Sequence, residues 1–195
     1  MGRRFISTQP IETTDTGHLS ELLYDDGEQE EMLVCAGHGG AVEPGTAELA
    51  LELATRTTAS CWATLGYEDS GSAFETFHPP STALQPERYP LLDRIADRGF
   101  DRVLSIHGLA EEAVLVGGAV DERIKQRAVD ALEESLSLPV RVATESEYAG
   151  THPENFVNWL AADGCGLQLE LGPAARGSDA DATRSGLVIL LGAEW

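Results

Sequence analysis

Lysine is almost absent from this 195-residue chain. Lys125 is the single one, against 12 arginines and 33 acidic residues, for a formal net charge of −20. No nucleic-acid or anionic-membrane partner is expected, because both need a basic patch to neutralise phosphate. Lys125 sits in no G-x-x-x-x-G-K-[ST] context, so a phosphate loop is excluded. No G-x-S-x-G occurs, so a serine nucleophile elbow is not supported. The three cysteines (Cys35, Cys61, Cys165) show no C-x-x-C spacing, and their odd number does not suggest a disulfide framework. They could be soft zinc ligands, but Cys35 lies in an apolar run and reads better as a structural thiol. No run of about 18 apolar residues exists, so no transmembrane helix is expected. The arginines of MGRRFISTQP are not followed by the apolar stretch of a signal peptide, which leaves the cytoplasm as the expected location.

The acids are spread along the chain rather than gathered in a tail. With arginine in place of lysine and many small residues, this balance reads as adaptation to high salt. Self-repulsion at such a charge is destabilising in dilute buffer and is screened in concentrated salt.

Apolar residues make up 42% of the chain, enough for a globular core at this length. Residues 1–30 are polar and acidic, with Asp25, Asp26, Glu28, Glu30 and Glu31 clustered. They read as a solvated lead-in, with a short helix or strand around Leu19–Tyr24. Residues 31–195 read as one domain. Strands are expected at Met32–Ala36, Cys61–Leu65, Arg102–Ile106, Ala113–Val116, Pro139–Ala143, Gly166–Leu171 and, last, Leu187–Leu191. Helices are expected at Thr46–Thr57, Glu87–Arg98 and Asp121–Ser135, with a helical turn within Asn155–Ala162. Residues 66–86 read as a long loop. Alternating strands and helices predict an α/β fold with a mostly parallel, mixed sheet covered by helices on both faces. In such sheets the site lies beyond the carboxyl ends of the strands.

Two histidines share that position. His38 follows MLVCAG and precedes two glycines; His107 follows RVLSI and precedes Gly108. Glu43 lies five residues after His38, ahead of the helix at Thr46, where a carboxylate is electrostatically favoured. Two imidazoles and a carboxylate with a fourth position open form the ligand set of a catalytic zinc site. Taken singly, each has a blander reading, as a satisfied core histidine or a helix cap. In LQLEL, Gln168 and Glu170 alternate with three leucines and share the opposite face. A carboxylate on a sheet covered on both faces needs a partner or a task, and general base is the functional reading. An edge strand in water is the alternative.

The stretch HGGAVEPGTAELA (His38–Ala50) resembles the H-G-G-x-I-E-P-G-T-x-E-x-A signature of the phage and bacterial poly-γ-glutamate hydrolase family, which includes prophage proteins. Ser72–Glu87 resembles that family's Leu-His-x-x-S segment and places His78 at its histidine. Ser105–Asp121 resembles its second His-Gly motif, and GCGLQLELGPAAR (Gly164–Arg176) its G-x-G-V-Q-L-E segment with a trailing arginine. The resemblance covers roughly Glu31 to Arg176. It implies a fold related to zinc carboxypeptidases and one zinc ion per chain, held by His38, Glu43 and His107. It implies Glu170 as the catalytic glutamate and hydrolysis of an amide, in the family a γ-glutamyl bond. Arg176, His78, Asn158 and Gln168 are the candidates to touch the substrate, and Glu48 is a candidate to orient a ligand histidine.

One departure bears on substrate. Where the family pattern carries an Asn-Arg pair before the Gln-Leu-Glu strand, this chain has Asn158-Trp159, and Trp159 offers a stacking surface instead. Two alternatives therefore stand beside a γ-glutamyl hydrolase. One is a zinc amidohydrolase of small N-acyl amino acids; the other is a non-catalytic, prophage-derived binding protein.

Overall fold

The computed structural model describes residues 5–25 and 31–193, and among them an eight-stranded mixed sheet forms the centre. Its strands are β1 (Phe5–Thr13), β2 (Gly17–Asp25), β3 (Met32–Gly40), β4 (Ser60–Glu68), β5 (Arg102–Gly108), β6 (Val114–Gly118), β7 (Val140–Val142) and β8 (Leu167–Leu171). They lie in the order β1-β2-β4-β3-β5-β8-β6-β7. The pairs β4–β3, β3–β5, β5–β8 and β6–β7 are parallel, and the other three are antiparallel. The α-helices are α1 (Thr46–Thr57), α2 (Ala73–Phe77), α3 (Pro90–Asp93), α4 (Glu122–Glu133), α5 (Phe156–Trp159) and α6 (Ala180–Gly192). No helix among the described residues is long and apolar enough to cross a membrane.

Helices cover both faces, as the alternation of elements predicts. Met32, Val34 and Ala36 of β3 point to one face, with Ala50 and Leu53 of α1, Leu132 of α4 and Leu187 of α6. Leu33 and Cys35 point to the other, with Trp62, Leu92 of α3 and Phe156 of α5. Every residue of β3 is buried, which is why its sequence reads as an unbroken apolar run. Cys35 and Cys61 are buried within these two layers. Burial raises both thiols, Cys61 to about 12, and both pack as apolar groups in the core.

The strict alternation of β3 does not persist to its end. Ala36 opposes Ala63 of β4, but Gly39 opposes Leu65, so β3 carries one extra residue there. Such a bulge turns the following side chains to the other face. Without it His38 would share the face of Val34 and Ala36, beneath α1. With it, the His38 ring lies 5.2 Å from that of His107. The bulge is held by a hydrogen bond from Thr64 Oγ1 to the Gly37 carbonyl (2.6 Å). Gly39 permits it, since a Cβ at that position would collide with Ala47 Cβ and lie 2.5 Å from the Thr64 carbonyl oxygen.

Three expectations are corrected. The solvated lead-in is instead an antiparallel hairpin, β1–β2, added to the sheet edge at β4; residues 26–30 lie outside the described part. Leu19 and Leu23 of β2 are buried, and Glu21 between them is buried too. Its carboxylate accepts hydrogen bonds from Trp62 Nε1 and from the Leu91 and Leu92 amides. A charge in the middle of the inward stripe hides the apolar alternation. The final strand expected at Leu187–Leu191 is helical, within α6. Its buried residues Thr183, Gly186, Leu187, Leu190 and Leu191 follow helical spacing, and a short apolar run cannot by itself separate the two states. The helix expected at Glu87–Arg98 shrinks to α3, because Pro90 forces Tyr89 into extended backbone (φ −120°, ψ 90°).

Candidate metal centre and active site

Strands β3, β5 and β8 run parallel and end together, and the polar residues at their carboxyl ends open into one cavity of about 630 Å³. His38 comes from β3, His107 from β5 and Glu170 from β8; His107 and Glu170 stand opposite each other in register. Glu43 enters from the turn between β3 and α1. That turn is tied by the Glu43 amide donating to the His38 carbonyl (2.8 Å) and by Thr46 Oγ1 donating to the Glu43 carbonyl (2.8 Å).

Two imidazoles and a carboxylate converge there. His38 Nδ1 lies 3.2 Å from His107 Nδ1 and 3.5 Å from Glu43 Oε1, and His107 Nδ1 lies 3.9 Å from Glu43 Oε2. His38 Nε2 is 2.8 Å from the Pro79 carbonyl, which can only accept, so Nε2 keeps its proton and Nδ1 is the nitrogen turned to the site, able to give a lone pair to a metal. Glu43 Oε2 also accepts from the Gly108 amide (2.9 Å). Two ligands of a tetrahedral zinc, each at about 2.0–2.1 Å, lie about 3.3 Å apart. The His38–His107 and His38–Glu43 separations match that spacing, so the donor set fits a zinc ion.

His78, from the segment after α2, joins the cluster. Its Nε2 is 3.1 Å from Glu43 Oε1, its ring is 4.1 Å from that of His38, and Phe74 stacks on its other side at 4.0 Å. His38, Glu43 and His78 therefore form a second, overlapping group of possible metal donors. The bond to Pro79 fixes the His38 lone pair for either group.

Burial sets the electrostatics. It pushes His107 down to about 4, against the pull of Glu43, so the ring is a neutral donor at ordinary pH. Burial alone would raise the Glu43 carboxyl, but hydrogen bonds to His38 and His78 and the nearby His107 outweigh it and hold it well below the carboxylate range. Glu170 goes the other way: burial and then the Glu43 charge raise it to about 8, against a hydrogen bond from Gln168. Two carboxylates in one cavity with values pushed apart are a recurrent acid–base arrangement.

The remaining sequence candidates divide. Gln168 lines the cavity, and its Nε2 donates to Glu170 Oε1 (2.9 Å). Asn158 does not reach the cavity. Its amide donates to the Gly150 and His152 carbonyls and accepts from the Gly166 amide, holding a loop rather than a substrate. Arg176 is committed as well: Nε donates to the Leu171 carbonyl (3.2 Å) and a terminal nitrogen to the Pro44 carbonyl (2.5 Å). It pins the turn carrying Glu43 to the end of β8 and is not among the residues lining the cavity. Glu48 is exposed in the first turn of α1 and orients no histidine. Trp159 packs half-buried against the core layer of Trp62 and Phe156 and does not line the cavity. Sequence reasoning missed Phe74, Tyr148 and Asn155, all of which line it. Asn155 carried a signal, since it is a cap-type residue heading the helical turn it caps.

A family model described as poly-gamma-glutamate hydrolase matches residues 12–180. The chain belongs to this family. Among curated proteins, the SPbeta prophage-derived UPF0714 protein YoqZ of Bacillus subtilis (strain 168) is 31% identical over 149 residues, which is 74% of this chain and 50% of that protein. The chain spans about half the length of the curated relatives it matches. Among solved structures, a bacteriophage poly-gamma-glutamate hydrolase aligns with a TM-score of 0.72 at 23% identity, over 92% of this chain and 89% of that one. YndL in a zinc-free form aligns equally, with a TM-score of 0.72 at 23% identity, over 93% and 92%. A metallo-carboxypeptidase from Burkholderia cenocepacia aligns at 0.53 with 13% identity, over 98% of this chain and 64% of that one. The family fold is thus carboxypeptidase-like, as the sequence motifs imply.

Proposed function

We propose that this chain is a zinc-dependent amide hydrolase and that it cleaves γ-glutamyl bonds of a poly-γ-glutamate substrate. The observation that carries the reading is the meeting of the His38 and His107 Nδ1 atoms with Glu43, in a cavity that also holds Glu170. Membership of the poly-gamma-glutamate hydrolase family supports the substrate. His38, Glu43 and His107 would hold the ion, which supplies Lewis acidity to the scissile carbonyl and to the attacking water. Glu170 takes the proton of that water and returns it to the leaving amine nitrogen. Its place at the end of β8, opposite His107 in register, suits it to both steps. His78, beside Glu43 at the cavity wall, is placed to donate a hydrogen bond to the substrate.

A second reading has its own observation. No arginine or lysine is among the described residues lining the cavity, whereas Glu43, Glu147 and Glu170 are. A poly-γ-glutamate chain brings one carboxylate per unit and finds no fixed cation there. This favours a small N-acyl amino acid, which brings a single carboxylate.

Elemental analysis after purification in molar salt, without chelator or affinity metal, is the first test. One zinc per chain in the wild type, lost in His107→Ala, is expected. Glu170→Gln should keep the metal and lose about 100-fold or more in turnover. Rates on poly-γ-glutamate against short N-acyl amino acids then separate the two substrates. A protein that neither retains nor takes up zinc is a binding protein on a hydrolase fold, and the proposal fails.

A further inference from the structure

The amide of Asn155 has its orientation fixed from one side. Its Oδ1 accepts from the Val157 amide as the cap of α5 (3.3 Å), so its Nδ2 must face away from the helix. That nitrogen donates to Gln168 Oε1 at 2.9 Å. The Gln168 amide is thereby oriented in turn, with its own nitrogen towards Glu170 Oε1 at 2.9 Å. Both bonds are buried. An amide has its acceptor at one end and its donor at the other, so the direction set at the cap is passed along without ambiguity.

The surroundings hold this row in place. Asn158 donates to the Gly150 and His152 carbonyls and keeps that loop over Gln168. Gly150, at φ +64°, lets the loop come close, since a Cβ there would lie 2.7 Å from Gln168 Oε1.

We infer that Asn155 is a positioning residue: through Gln168 it directs an N–H donor at one oxygen of Glu170 and leaves the other oxygen for the cavity. The inference rests on the proposal that Glu170 is the proton-transfer group. It assigns a role to a residue that packing alone would describe as a helix cap.

Asn155→Asp and Asn155→Ser separate the two roles. Asp is nearly isosteric and caps as well as Asn, but it accepts where Asn donates. Gln168 must then turn its nitrogen to the new carboxylate and its oxygen to Glu170. Ser keeps the cap and leaves Gln168 free to hold either direction. The expected order of kcat is wild type, then Asn155→Ser, then Asn155→Asp, with a loss of about 10–100-fold for Asp. KM should stay within about threefold, since the effect lies in proton transfer and not in substrate binding. Zinc content and melting temperature should match wild type. Salt does not screen the charge that Asp adds at this buried position, so Asn155→Ser, which adds none, carries the comparison. A purely structural cap leaves both variants close to wild type, since Asn, Asp and Ser cap about equally; that result, or a larger kcat loss in Ser than in Asp, overturns the inference. Should the Asp variant not fold, Ser decides alone, through a kcat loss at unchanged KM or none. Glu170→Gln is run alongside. If it stays active, the proton-transfer reading itself fails; if it is dead while both Asn155 variants match wild type, only the positioning role is lost.

Discussion

Glu170 and His107 face each other across β5 and β8, and burial moves their protonation in ways that oppose each other. In metal-free protein this has a consequence for stability. Folded Glu170 holds its proton up to about pH 8, against an ordinary value of 4.5. Its contribution is therefore full below the ordinary value and is lost as pH rises towards 8. His107 is depressed to about 4 from 6.5, so its contribution is full above 6.5 and is lost as pH falls towards 4. Between pH 6.5 and 8 the glutamate acts without the histidine. Chelator-treated protein should lose up to about 2 kcal/mol across that window. Denaturant unfolding at the two ends measures it, and Glu170→Gln should flatten the trend. If the slope survives in that variant, another group is responsible.

At the scale of elements, the end of β3 decides the site. A single extra residue between Ala36 and Gly39 brings His38 to the face of His107 and Glu170. Gly39→Ala should force α1 away from the strand, because the new methyl group meets Ala47 and Thr64 at well under contact distance. A cost of about 1–3 kcal/mol is expected from overpacking, with zinc affinity weakened about tenfold or more as His38 shifts. Thermal melts and competitive zinc titration read the two effects. Unchanged zinc affinity in a destabilised protein would show that His38 does not depend on the bulge. The strand itself was legible from MLVCA, and the helix at Thr46–Thr57 was legible to its ends. The bulge was not, because nothing in HGG distinguishes a straight strand end from one with an extra residue. A helix or strand is expected around Leu19–Tyr24, inside β2, but β1 and its pairing with β2 were missed for a related reason. Glu21 stands where an apolar residue would complete the pattern, and its three N–H partners come from β4 and α3, far along the chain.

At the scale of the whole molecule, charge dominates. With 33 acids against 13 bases, repulsion acts over a Debye length of about 8 Å at physiological salt and about 3 Å at 1 M. The melting temperature should therefore rise steadily between about 0.1 and 2 M potassium chloride, and more than for a near-neutral protein of this size. A flat profile in a salt series followed by circular dichroism would remove the high-salt reading. The same charge bears on substrate: steering of a polyanion is unfavourable in dilute buffer and is largely screened in concentrated salt. Rates on poly-γ-glutamate and on short amides belong in the same salt series for that reason.

The sequence by itself determined the alternation of strands and helices, the covered sheet, and the order of motifs that marks the family. It also placed His38, Glu43, His107 and Glu170 near strand ends. These follow from local periodicity and from residue types whose chemistry does not depend on neighbours. The tertiary structure alone decided which polar residues meet. It withdrew Arg176 and Asn158 into backbone hydrogen bonds, left Glu48 on the surface and set Asn155 behind Gln168. A buried carbonyl needs a donor wherever the chain happens to bring one. Which arginine or amide supplies it depends on residues far apart in sequence, and no local pattern records that distance.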